Sequence, residues 1–331
     1  MNLRETQEER ELEILSVHAT KVAHSKGRLR FEEKCPGRTD FQRDCDRIIH
    51  SKAFRRLMHK TQVFLAPFDD HFRTRLTHTL EVSAIGRSIA RGLKLNENLE
   101  EAIALGHDLG HTPFGHAGEA VLNEMCSEGF SHSRQSLRVV DILENNKGLN
   151  LTIEVRDGIL NHSGKDIAKT PEGKVIKFAD RIAYINHDID DAIRAGILSA
   201  DDLPKKFTDI LGLNHRERIN NMIENIIENS KDSPDIKMSD EFFNAMMGMR
   251  SFLFERVYKS EDIETETLKA MDLLRYLYEF FIKHTERLPE EYMLMLEENT
   301  KERVVCDYLA GMTDRYAINL FNKIFVPNVK V

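Results

Sequence analysis

Apolar residues recur at intervals of three and four along most of the chain, the period of an α-helix buried on one face. In FQRDCDRIIHSKAFRRLMHK (41–60), Phe41, Cys45, Ile48, Ile49 and Leu57 follow it. Leu80, Ala84, Ile85, Ile89 and Leu93 form a second stripe over 76–95, and Leu99, Ala102, Ile103 and Leu105 a third. Residues 65–75 (LAPFDDHFRTR) break the pattern between the first two. Pro113 and Gly115 interrupt after the third, and a new helix begins near His116. The same period predicts helices over 134–146, 151–161, 174–195, 215–230, 239–259, 263–284, 289–297 and 301–323, with loops at 126–133 and 162–173. The predicted fold is all-α. The polar stretch ENSKDSPDIKM (228–238) is the predicted boundary between a core of residues 1–230 and a C-terminal helical region, 231–331, packed on it.

Composition agrees with helices and narrows the setting. Charged residues make up 31% of the chain, which suits many amphipathic helices with solvated outer faces. The net charge of −8 gives no global field for nucleic acid or acidic membranes, so an anionic ligand must meet a local basic cluster. Cys35, Cys45, Cys126 and Cys306 form no CxxC pair and read as reduced thiols. The start is polar and acidic, unlike a signal peptide, and no window is apolar enough for a membrane span. The expectation is a soluble cytoplasmic protein.

The densest chemistry lies in GHDLGHTPFGHAGEA (106–120). Imidazoles and carboxylates are the ligands of divalent ions, and adjacent His107 and Asp108 can share one ion if the helix ends tightly there. Gly106 and Gly110 are expected to leave room for the ion and its waters. His78 shares a helical face with Val82, Ile85 and Ile89. Asp180 lies four residues from both Ile176 and Tyr184, on a stripe that continues to Asp188. A carboxylate on a buried stripe is costly unless paired or metal-bound. Each residue alone also fits a hydrogen-bonded core position; together they make an ordered H…HD…D series of four metal ligands.

That series, with RRLMHKTQVF (55–64), RTRLTHTLEVSAIGR (73–87), HDLGHTPFGHAGE (107–119) and DYLAGMTDRYA (307–317), resembles the deoxyguanosine triphosphate triphosphohydrolases of the HD-domain superfamily. The resemblance runs from about residue 38 to 320. It implies a helical bundle around one metal site and conversion of a deoxynucleoside triphosphate and water into a deoxynucleoside and inorganic triphosphate. It assigns the catalytic pair to His116 and Glu119, with His111 one turn after His107. His116 would act as general acid toward the 5′ oxygen or manage the proton of the water. Arg75 would contact the α-phosphate side, and Lys177 and Arg181, which flank Asp180, would do similar work. Tyr184 and Asp188 match the family's D-x-x-x-Y-x-x-x-D pattern, an aromatic ring under C2′ and an acceptor for the 3′ hydroxyl. Gln62 matches a glutamine near the nucleoside. His132 and His162 read as loop histidines that either contact phosphate or sit in solvent.

A triphosphate also needs cations, and residues 38–60 supply Arg38, Arg43, Arg47, Lys52, Arg55, Arg56 and Lys60, for which ion pairing or solvation is the default. Arg303 is a further candidate for the phosphates. GILNHSGK (158–165) is not a P-loop: its glycines are wrongly spaced and Asp166 stands where a Ser or Thr is needed. The ligand set admits magnesium, manganese, zinc or iron. The resemblance further implies a homo-oligomer, hexamers included, with Phe252, Phe254, Phe280 and Phe281 as interface or core residues, and leaves room for a nucleotide or single-stranded DNA effector. The rival readings are another HD-domain phosphohydrolase, a nucleotidase or phosphodiesterase, and a sensor that binds nucleotide or single-stranded DNA without turnover.

Overall fold

Helix starts along the chain are set by short polar side chains that accept from the first free backbone N–H groups. Thr39, Ser51, Thr74, Asn96, Ser131, Thr170, Asn214, Ser239, Thr300 and Thr313 each cap a helix in this way. The computed structural model describes residues 1–62 and 71–327. The predicted break at Leu65 lies, as far as Asp70, outside the described residues.

The helices are α1 (Leu3–Ile14), α2 (Asp40–Ile49), α3 (Lys52–Arg56), α4 (Arg75–Gly92), α5 (Glu97–Gly106), α6 (Gly115–Met125), α7 (His132–Arg138) and α8 (Ile153–Asn161). They continue with α9 (Pro171–Arg194), α10 (Lys205–Leu211), α11 (His215–Ser230), α12 (Asp240–Leu253), α13 (Glu261–Lys283), α14 (Glu290–Met295), α15 (Lys301–Ala310) and α16 (Asp314–Phe325). Among the described residues the only β pairing is two isolated bridges, Arg28 to Thr152 and Thr61 to Thr74, so the fold is all-α. No helix among them is long and apolar enough to cross a membrane.

Two apolar cores organise these helices. In the first, Val82, Ile85 and Ile89 of α4 pack with Leu99, Ala102 and Ile103 of α5 and with Ile176, Ala179 and Ile182 of α9; Met246, Met249 and Leu253 of α12 close over them. In the second, Val121 and Leu122 of α6 pack with Leu274 and Leu277 of α13 and with Val304, Val305 and Leu309 of α15. The 106–120 run therefore crosses from one core to the other.

Several helix bounds differ from the period-based reading. The predicted 41–60 helix is cut at Ser51, whose hydroxyl accepts from Phe54 N at 3.0 Å, while Glu144 accepts from Lys52 N and Ala53 N at 2.7 and 3.1 Å. The 134–146 helix ends in a wide turn at 139–143, followed by left-handed Asn145 and Asn146. The 301–323 helix divides at Gly311–Thr313. On α4 the buried face carries His78, Val82, Ile85 and Ile89, whereas Leu80 is half exposed.

Candidate active site

Two helix ends and one helix middle meet at the boundary of the two cores. Thr74 starts α4 through a capping box with Thr77, and this fixes Arg75 and His78 in the first turn, both buried. α5 ends at Gly106 and the chain turns at once, so consecutive His107 and Asp108 both face inward. The middle of α9 supplies Asp180.

These four side chains converge. Donor atoms of His78, His107 and Asp108 all lie within 4.8 Å of one another. Asp180 Oδ1 is 3.1 Å from His78 Nε2, and Asp108 Oδ1 is 3.8 Å from His107 Nε2. His107 Nδ1 lies 2.5 Å from the Ala104 carbonyl and can bind it only as an N–H donor. Its Nε2 therefore carries the lone pair, and it is buried with no hydrogen-bond partner among the described residues. A buried acceptor without a partner is costly, and a divalent cation satisfies it. Two imidazole nitrogens and two carboxylates around one centre fit such an ion. Behind His78, His187 Nδ1 stands 3.5 Å from His78 Nδ1, and Glu81 accepts from His187 Nε2 at 2.6 Å. Burial opposes the charge on Asp180, but His78 prevails and holds its carboxyl well below the ordinary range. Asp108 is likewise held ionised against burial, first by Arg75, whose Nη1 donates to Oδ2 at 2.7 Å.

The glycines serve the backbone rather than an ion. A side chain on Gly110 would stand 2.1 Å from Ser136 N, and one on Gly106 2.5 Å from Ile159 Cδ1. The room expected for the ion is thus occupied by α7 and α8. Gly110 N donates to Ser136 Oγ at 2.9 Å, and that hydroxyl donates to His107 O at 2.7 Å, which locks the turn.

Beside this centre Glu119 gathers two imidazoles. It accepts from His116 Nδ1 at 3.1 Å and from His132 Nδ1 and backbone N, each at 2.9 Å. The His116 side chain is 82% exposed, open to solvent at the mouth, while Glu119 lies beneath it. Burial opposes charge on Glu119, but the two histidines drive its carboxyl well below the ordinary range. His111 stacks on His132 with ring centres 4.8 Å apart, and burial, then the nearby Arg75 charge, lowers its pKa well below that of a free imidazole.

His132 and His162 are not solvated loop residues. His132 opens α7, and His162 is 2% exposed, with Nδ1 2.7 Å from Ile159 O and Nε2 3.1 Å from His132 Nε2. Burial, then the charges of His107 and His132, presses the His162 pKa down to about 3.

A cavity of about 570 Å³ opens over this floor, a volume suited to a nucleotide. Of the residues singled out in the sequence, Gln62, Arg75, His78, Asp108, His111, His116, His132, His162, Lys177, Asp180, Arg181, Tyr184 and Asp188 line it; His107 and Glu119 lie behind the lining. Lys177 Nζ donates to Gly164 O at 2.8 Å and pins the loop after α8. Gln62 Oε1 has no partner among the described residues.

The basic 38–60 segment is elsewhere. Arg38 pairs with Asp46, Arg43 and Arg47 with Glu32, and none of the segment lines the cavity. Lys60 is fully buried, its ammonium on the carbonyls of His111 and Ala310. Arg303 spends its guanidinium on Gln135 and Asp307, at 2.7 and 3.0 Å.

Sequence reasoning did not place Arg250, Phe254 and Tyr258 at the site, where they line the cavity together with Tyr184. Phe254 is 48% exposed, not core, and Tyr258 donates its hydroxyl to Asp188. Burial pushes the Asp188 carboxyl up to about 7 despite that bond. The signal was present, because these three residues repeat the one-turn spacing of Asp180, Tyr184 and Asp188. Phe281 is core, whereas Phe252 and Phe280 are partly buried against the two cores.

The chain is similar to known proteins over nearly its whole length. Residues 75–185 match the HD domain family, and residues 236–323 match the phosphohydrolase-associated domain family. A deoxyguanosinetriphosphate triphosphohydrolase-like protein of Caldanaerobacter subterraneus subsp. tengcongensis is 55% identical over 99% of this chain and 97% of its own length. One from Desulfatibacillum aliphaticivorans is 48% identical over the whole of both chains. The crystal structure of a hypothetical protein from Aquifex aeolicus shares the fold, with a TM-score of 0.52 at 20% identity over 85% of this chain and 71% of that one. The chain is a hydrolase and belongs to the family of deoxyguanosinetriphosphate triphosphohydrolase-like proteins built on the HD domain.

Proposed function

We propose that the protein hydrolyses deoxynucleoside triphosphates, dGTP among them, to the deoxynucleoside and inorganic triphosphate. The observation that carries this reading is the convergence of His78, His107, Asp108 and Asp180 beneath a cavity that also holds Arg75, Arg181, Arg250 and Tyr184. A divalent ion on those four ligands supplies Lewis-acid polarisation of the α-phosphate and a more acidic bound water. The protein's own groups do the rest. Arg75, held by Asp108, sets fixed positive charge at the α-phosphate, and Lys177, Arg181 and Arg250 extend it along the chain of phosphates. His116 gives Nδ1–H to Glu119 and holds a transferable proton at Nε2 for the departing 5′ oxygen, with neutral His111 packed beside it. Tyr184 lies under C2′ and excludes a ribose hydroxyl. Asp188, held by Tyr258, receives the 3′ hydroxyl, and Gln62 Oε1 accepts from the nucleoside.

We also propose the domain division at residue 230, a C-terminal helical region on an HD core, supported by the separate family matches at 75–185 and 236–323. A reducing, cytoplasmic setting fits Cys126 and Cys306, which stand as free thiols in hydrogen-bonding contact. A homo-oligomer fits the aromatic face of Tyr276, Phe321 and Phe325 on α13 and α16, of which Tyr276 is mostly exposed.

The test is turnover of each of the four dNTPs with magnesium, manganese, zinc and iron, with phosphorus NMR of the products. Intact triphosphate is expected. Release of phosphate or pyrophosphate instead would identify a different phosphohydrolase and overturn the reading.

A further inference from the structure

We propose that His187 is a positioning residue that turns the lone pair of His78 toward the metal, with Glu81 fixing His187 in its turn. Four side chains alternate between α4 and α9: Asp180 from α9, His78 from α4, His187 from α9 and Glu81 from α4. Their successive separations are 3.1 Å, 3.5 Å and 2.6 Å. Both imidazoles are buried, so neither can replace a lost partner with bulk water. His78 and Glu81 lie one turn apart on α4, and Asp180 and His187 two turns apart on α9, so each pair shares a helical face.

The hydrogens along this ladder can be placed one by one. Both ends are carboxylates, which only accept, and two imidazoles stand between them. Two neutral rings bring two hydrogens to three contacts. Glu81 accepts from His187 Nε2, which places one hydrogen there and leaves His187 Nδ1 with its lone pair. That lone pair accepts from His78 Nδ1, which places the second. No hydrogen remains for the contact between His78 Nε2 and Asp180 Oδ1, so His78 Nε2 presents a bare lone pair, the form that binds a cation. An apolar side chain at position 187 would strip the buried Nδ1–H of His78 of its acceptor. The hydrogen would then favour Nε2, where Asp180 accepts it and the metal is shut out.

Metal-bound histidines ordinarily give their second N–H directly to a carbonyl, a carboxylate or a water. His107 does so at the Ala104 carbonyl. His78 meets another imidazole instead, and the carboxylate comes one step later. The outer end is secured. Arg73 Nε donates to the two oxygens of Glu81 at 3.4 and 3.3 Å, and Arg73 Nη1 donates at 2.8 Å to Asp191 Oδ1, one turn after His187 on α9. The two helices that supply His78 and Asp180 thus also fix which nitrogen of His78 faces the ion.

The inference rests on the metal centre proposed above, and the experiment separates the two. Chelator-stripped protein is titrated with Mn2+, and the free ion is followed by electron paramagnetic resonance. The unaltered protein is expected to bind, and His187→Leu to bind roughly ten- to a hundredfold more weakly. His187→Gln is expected to recover most of that loss, because its amide oxygen can accept from His78 while its amide N–H donates to Glu81. Adding Glu81→Leu to His187→Leu is expected to change nothing more, since Glu81 acts only through His187. Undiminished affinity in His187→Leu, or an equal loss in His187→Gln, would overturn the role of His187 and leave the centre standing. A further loss in the double variant would overturn the role of Glu81. No binding to the unaltered protein would overturn the centre and the inference with it. Nitrogen-15 NMR of the unaltered, Zn2+-loaded protein decides the matter even if the variants fold poorly: His187 is expected to carry its hydrogen on Nε2 alone, and a hydrogen on Nδ1 would refute the ladder.

Discussion

His107 shows how a single side chain can be committed before any ligand arrives. Its Nδ1–H is spent on Ala104 O at 2.5 Å, which leaves the lone pair of the buried Nε2 free for a cation. His107→Ala combined with Asp108→Ala is expected to reduce dNTP hydrolysis to background while the far-ultraviolet circular dichroism stays helical. Substantial turnover in that variant would remove the centre. Tyr184→Ala is expected to lower the dGTP-over-GTP ratio of kcat/KM by at least about tenfold, because the lost ring admits the 2′ hydroxyl. An unchanged ratio places the sugar elsewhere. His162 gives a pH signature in the metal-free protein. Unfolded, the ring titrates near 6.5; folded, at about 3, because burial excludes the charge. Between those values the unfolded chain binds the extra proton, so stability present at pH 7 falls as the pH drops, by at most about 1.4 kcal/mol per unit. Urea unfolding in chelator from pH 7 to pH 4 should show a steeper loss for the unaltered protein than for His162→Gln, and equal slopes would refute the assignment.

At the scale of elements, most of the metal-ligand set is built where helices begin or end, and α9 adds Asp180, Tyr184 and Asp188 from its middle. α4 contributes its first turn, the turn just past α5 contributes His107 and Asp108, and α7 contributes its first residue. The turn 107–110 works because α7 can press against Gly110, where an added Cβ would meet backbone at 2.1 Å. Gly110→Ala is therefore expected to destabilise the protein by about 1–3 kcal/mol and to weaken metal binding as His107 and Asp108 separate. A wild-type urea midpoint with unchanged metal affinity would show that the turn is more compliant than its packing implies.

At the scale of the molecule, the C-terminal region completes the site. Asp314 at the start of α16 accepts from Thr61 N at 2.9 Å, Thr61 Oγ1 at 2.6 Å and Phe114 N at 2.9 Å. Buried Lys60 bridges the carbonyls of His111 and Ala310. One carboxylate thus ties the second core to Gln62's neighbour and to the residue that launches α6. Asp314→Ala leaves those donors without their acceptor and is expected to cost about 3 kcal/mol and to raise KM for dGTP more than it lowers kcat. A small change in melting temperature with unchanged KM would show that the tie is dispensable.

Much of this was legible in the order of residues. Helical period and the H…HD…D series are local or sequential facts; they pointed to the all-α class and singled out His78, His107, Asp108 and Asp180, whose side chains converge, and His116 beside Glu119. The rest was decided by which faces meet. Nothing local distinguishes His132 and His162 from solvated loop histidines; only the approach of α7 and α8 buries them nose to nose. Ion pairing within the run 38–60 is the default for its arginines and describes Arg38 with Asp46, but nothing there reveals that Arg43 and Arg47 answer Glu32, or that Lys60 is drawn inside to two carbonyls. Arg250, Phe254 and Tyr258 became a wall because α12 packs across α9, a contact between segments some seventy residues apart. Spacing along one helix fixes what a residue can face, and only packing between helices fixes what it does face.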